Sequence, residues 1–205
     1  MKHFCYLIAS AATIAAMASC ESPSRLASRI EGEWSGTPER ITDTSLSYLS
    51  MTPAYEFVRN DGADADRSAG KVTLTAQIDT TMPADGFPVD SLGEVPVSFS
   101  VAAVVTVNGT WKAIDDDEVL VRFSTSDMLT SVDSKAVCEY TSPMSAADKP
   151  QTVELPSPVL ESIGRQITTS MTHYVANISK LDDIEIRDNF MKFEIGKKDF
   201  TFTRL

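Results

Sequence analysis

Histidine, cysteine and positive charge are all scarce in this chain of 205 residues. There are two histidines and three cysteines, and 18 Lys plus Arg stand against 29 Asp plus Glu, a formal net charge of −11. Two histidines are too few for a multi-histidine metal centre or a His-based catalytic machine. The surplus of acids repels phosphates, which excludes nucleic acid as a partner and argues against a polybasic membrane-surface binder. No Gly-x-Ser-x-Gly elbow, phosphate loop, dinucleotide-binding glycine fingerprint or His-Glu-x-x-His stretch occurs. The uncharged run from Phe4 to Ala18 is about 15 residues, short of the ~20 that span a bilayer as a helix. What remains is globular composition, 42% hydrophobic and 23% charged, at a length that suits one domain.

The first twenty residues have the layout of an export signal. Lys2 supplies the positive region, the uncharged run follows, and small residues lead into Cys20. Ala16-Met17-Ala18 matches the A-x-A cleavage pattern, which releases a chain starting at Ser19. Met17-Ala18-Ser19-Cys20 resembles the lipobox of bacterial lipoproteins, with Met where Leu is usual. Glu21-Ser22-Pro23-Ser24 follows as a polar, turn-prone stretch. The resemblance implies a lipoprotein signal peptide over 1–19, lipidation at Cys20 with palmitate-type acyl chains, and a polar tether over 20–29. Such chains suffice for stable anchoring, and place the protein at the outer membrane. The signal is similar in style to those of Bacteroidota lipoproteins. Some of these carry an acidic run marking surface export; Glu21 alone matches it poorly, so the side of the membrane stays open. With Cys5 in the signal and Cys20 acylated, Cys138 is the only thiol, and no intrachain disulfide can form. Its alternating neighbourhood, 135–140, reads as a strand carrying an inert, buried cysteine.

Alternation of period two predicts strands in most of residues 30–205. Tyr55–Val58 and Lys71–Ile78 form a hairpin across the polar loop Asn60–Gly70, with Val72, Leu74, Ala76 and Ile78 on one face. Residues 79–96, rich in Pro and Gly, read as a surface excursion. Val97–Val107, the Asn108-Gly109 turn signal, Thr110–Ile114, the Asp115–Asp117 turn and Glu118–Phe123 read as a three-stranded meander. Residues 142–158 read as loop. Val159, Leu160, Ile163, Ile167, Met171, Tyr174, Val175 and Ile178 then recur at spacings of three and four, which predicts an amphipathic helix over 157–179 with Ser157 as cap and Pro158 in its first turn. Ile184–Ile186, Phe190–Ile195 and Phe200–Leu205 close the chain as antiparallel strands. The expected fold is mainly β: an antiparallel meander that closes into a barrel or strongly curved sheet to hide its edges, with one late helix.

Gly32-Glu33-Trp34 on the first strand, the meander and Arg204 near the C-terminus together resemble the lipocalin or wider calycin architecture. The resemblance implies that Trp34 packs at the closed end of a barrel and that Arg204 lies over it, with Gly32 as part of the motif. The mid-chain Thr-Asp-Tyr motif and the disulfide pair of that family are missing, and here the helix precedes the last strands. The plan is closer to the lipocalin-like lipoproteins of Bacteroidota.

Residues that could carry chemistry are few. His173 is the only histidine after the signal, and its helical neighbours Thr169, Ser170, Ala176 and Asn177 make no metal site with it. Asp61, Asp64 and Asp66 fail the calcium-loop spacing, since Ala63 and Ala65 stand where ligands are needed. The expectation is a noncatalytic protein without cofactor or metal. It is held to the membrane through Cys20 and binds a small apolar ligand in space left by Ala76, Ala102, Ala103 and Ala113. The alternative is an interaction protein docking to another envelope component through the loops at 60–70, 79–96 and 142–158. A barrel solidly packed by Phe99, Trp111 and Phe123 counts against the ligand-binding reading.

Overall fold

The computed structural model describes residues 22–41, 48–83, 98–139 and 151–205. Cys20, the signal over 1–19, the excursion from residue 84 to 97 and the loop from 140 to 150 lie outside the described residues. Along the chain the elements are α1 (Pro23–Ile30), β1 (Gly32–Gly36), β2 (Glu39–Arg40), β3 (Tyr48–Arg59), β4 (Ala69–Pro83), β5 (Ser98–Ala113), β6 (Val119–Phe123), β7 (Leu129–Glu139), β8 (Gln151–Glu154), α2 (Ser157–Ala176), β9 (Lys180–Arg187), β10 (Phe190–Ile195) and β11 (Lys198–Arg204).

Eight of these strands close an antiparallel barrel. β1, β3, β4, β5, β6, β9, β10 and β11 pair in that order, and β11 returns to β1 through Trp34 opposite Arg204 and Gly36 opposite Phe202. Alternation decides which residues face in. Leu49, Met51, Tyr55 and Phe57 of β3, and Val72, Leu74, Ala76 and Ile78 of β4, are all buried in one core. A one-residue slip would turn every one of them to solvent, so burial pins the register.

The wall divides at β5. Its second half, Gly109–Ala113, pairs with β6; its first half, Ser98–Thr106, pairs with β7 along the same edge. β6 and β7 therefore run in one direction, joined by a short 3-10 turn at Thr125–Asp127. β8 extends this flap, and α2 packs on β7, with the hydroxyls of Thr130 and Thr168 2.7 Å apart. Val159, Ile163, Ile167, Met171 and Val175 of α2 join the core. The helix starts at Ser157, so Pro156 rather than Ser157 stands at the cap position, and it ends at Ala176.

Two expectations are corrected. Asn108-Gly109 makes no hairpin: β5 runs straight through it, with Asn108 opposite Thr73 and Gly109 opposite Val72 on β4. The glycine serves close approach, because a Cβ there would stand 2.5 Å from the Arg122 carbonyl oxygen of β6. The tether over 20–29 is helix from Pro23 onward. Leu26, Ala27 and Ile30 are fully buried while Ser24, Arg25 and Ser28 face outward, and α1 lies against β3 and β5. Two excursions are also shorter than expected. β4 continues to Pro83, and β8 and the start of α2 occupy the second half of 142–158.

Candidate functional site

The hairpin tips at 60–68, 114–118 and 188–189 share one end of the barrel with α1. There Trp34 is fully buried, and its indole N–H donates to the Ile30 carbonyl at 2.7 Å. The Arg204 guanidinium lies over the Trp34 ring, 4.3 Å from its centroid, and donates to the carbonyls of Glu31 at 2.8 Å and Arg29 at 2.6 Å. Those carbonyls end α1, where four oxygens lack helical partners, and a fixed cation suits that end of the helix dipole. Gly32 has φ of +118°, and a Cβ on it would stand 2.9 Å from Nη1 of Arg204. The three residues hold the plug helix in the barrel end.

Side chains fill the axis above that plug. Tyr55 contacts Phe57, Phe193 and Phe202 at ring-centroid separations of 5.9, 6.0 and 5.4 Å, and Phe193 stacks on Phe202 at 4.8 Å. Phe57 meets Trp111 edge to face, and the Trp111 indole donates to the Lys71 carbonyl at 2.9 Å. Phe99 and Trp111 are buried and Phe123 is packed against the core. Ala76, Ala103 and Ala113 are buried among these, whereas Ala102 faces solvent on the other side of the pleat.

Open space with convergent polar groups lies at the opposite end, where β2, α2 and the β10–β11 hairpin meet. A pocket of about 210 Å³ is walled by Glu39, Arg40, Ile41, Ser170, His173, Tyr174, Asn177 and Lys198. The Glu39 side chain is only 10% exposed. The Tyr174 hydroxyl donates to its Oε1 at 2.6 Å, and the Lys198 ammonium donates to its Oε2. Burial, and then the Glu39 charge, push the Tyr55 phenol well above its ordinary value. Tyr174 is raised as well, by burial first, then by Tyr55 and Glu39. Both phenols therefore stay protonated at any physiological pH, and Tyr174 serves as a donor. His173 is exposed on the rim of this pocket, where Asn177 Nδ2 donates to its carbonyl at 2.9 Å.

Glu39, Tyr174 and Lys198 carry no local signal. Glu39 and Lys198 are 159 positions apart, and only ring closure makes them neighbours. The Asp61–Asp66 loop is a capped turn: Asp66 accepts from the Ser68 amide and hydroxyl and pairs with Lys112 at 3.0 Å. A larger groove of about 800 Å³ runs beside β6 and the end of α2, lined by Lys71, Trp111, Leu120, Arg122 and Val175 among others. The chain matches no protein-family model and none of the curated proteins with which it was compared.

Proposed function

We propose that this is a noncatalytic, lipid-anchored envelope protein whose lipocalin-like barrel is a small-ligand-binding module, with its ligand site at the mouth rather than on the axis. The observation that carries this reading is the pocket around Glu39. It is concave, is walled by Glu39, Arg40, His173 and Lys198, and lies at the mouth of a β-barrel, a common place for ligand sites. Its chemistry favours binding over catalysis. Both carboxylate oxygens of Glu39 are already engaged, and phenols held protonated are poor bases and nucleophiles. The anchor rests on Met17-Ala18-Ser19-Cys20.

Native mass spectrometry of protein purified from envelopes without organic extraction tests the pocket. A retained small molecule is expected, lost in His173→Ala and Lys198→Ala; retention of the same molecule by both variants sinks the assignment. Labelling with radioactive palmitate tests the anchor: wild type takes up label and Cys20→Ser does not.

A second reading, docking to another envelope protein, is favoured by the groove beside β6, where Lys71 and Arg122 flank Leu120 and Trp111. Pull-down from detergent-solubilised envelopes, repeated with Leu120→Asp, separates the two.

A further inference from the structure

We infer that the α1-capped end of the barrel is the face this protein lays against a phospholipid surface, so that the Glu39 pocket points away from the membrane. The inference rests on acylation of Cys20, as proposed above, and adds to it an orientation set by chain length.

Two residues, Glu21 and Ser22, separate Cys20 from Pro23, and the three steps span about 11 Å at full stretch whatever path they take. Pro23 starts α1, and α1 is no loose tether. Leu26, Ala27 and Ile30 are buried in the barrel core, and the carbonyls that end the helix are held by Arg204. Acyl chains on Cys20 therefore hold this end within about 11 Å of the lipid headgroups. A barrel standing on that end lifts its far turn away from the bilayer. β10, from Phe190 to Ile195, runs about 17 Å along the strand, which at the usual strand tilt lifts the far turn by roughly 13 Å.

The surface of this end suits a headgroup layer. The outward side of α1 carries Ser24, Arg25 and Ser28, short polar groups with one cation. Four large apolar side chains stand exposed around the same rim: Val58, Ile114, Phe190 and Leu205. Such residues gain by contact with the membrane interface. Exposed acids at Asp61, Asp64, Asp115 and Asp188 outnumber the exposed cations beside them, Arg67 and Arg187. They repel an anionic surface and select zwitterionic lipid as the occupant.

The test uses the mature acylated protein in phosphatidylcholine vesicles that carry a nitroxide on the headgroup. In a Cys138→Ser background, one fluorophore is placed at the α1 end (Arg187→Cys, or Ala63→Cys as a second position) and one at the far turn (Lys197→Cys). All three sites are exposed. Quenching several-fold stronger at positions 187 and 63 than at 197 is expected. Equal or reversed quenching on a protein whose mass shows the acyl chains overturns the orientation alone. A mass without acyl chains overturns both the anchor and the orientation built on it.

Discussion

At the scale of single residues, Gly32 is constrained in two ways at once. Its φ of +118° is a region that side chains rarely adopt, and the space beside it belongs to Arg204. Gly32→Ala is expected to lower stability by about 1–3 kcal/mol through backbone strain. Denaturant unfolding of Gly32→Ala, Arg204→Ala and the double variant separates two contributions. The strain persists when Arg204 is absent, while the steric part vanishes. The motif Gly32-Glu33-Trp34 with Arg204 was legible in the sequence as residue types, and the geometry supplies their work: closing the carbonyl end of a plug helix. Glu39 was not legible. An isolated Glu-Arg pair between turns reads as solvated loop, and its burial depends on Tyr174 and Lys198 arriving from distant elements.

Among the elements, α1 shows how a polar composition conceals a buried face. Pro23–Ile30 holds only three residues that end up buried in the core, spaced at 26, 27 and 30. In so short a segment that spacing is too brief to stand out from a tether, and an isolated helix of this length is unstable in water. Its stability comes from the barrel end it fills. Leu26→Ala is expected to cost about 2–5 kcal/mol in urea unfolding. Ser24→Ala, on the outward face, should change stability by no more than about 0.5 kcal/mol. Equal effects would mean that α1 is not a plug. Elsewhere periodicity located β3, β4, β9, β10, β11 and α2, although β3 begins seven residues earlier, at Tyr48, and β9 four earlier, at Lys180, than the alternation marked. Asn108-Gly109 misled because a local turn preference lost to the long register of β4 against β5, which continues past it to Ala69 opposite Lys112. Turn propensity is worth little against such cross-strand packing.

Across the whole molecule the charge is unevenly placed. The Asp115–Glu118 tip meets Asp183 of β9, and burial followed by repulsion from Asp116, Asp183, Asp115 and Glu118 raises the Asp117 carboxyl above its ordinary value. A carboxyl raised in the folded state binds its proton more readily there than in the unfolded chain. Stability therefore falls as pH rises from the ordinary carboxylate range through the folded value, and the charged form is a standing cost at neutral pH. Asp117→Asn is expected to raise Tm by about 1–3 °C at pH 7, as suits a partly exposed group. The gain should shrink in thermal melts taken below the folded value. Asp66 behaves oppositely. Hydrogen bonds from Ser68, and then Lys112, hold it down to about 2, so its contribution persists until strong acid. The barrel itself has its seam between β1 and β11, the first and last strands of the ring. Until Lys198–Arg204 is in place, β1 and β10 each present an unpaired edge, open to pairing with other chains. Ring closure thus waits on β11, and a chain lacking only that strand is left with two adhesive borders instead of one sealed surface.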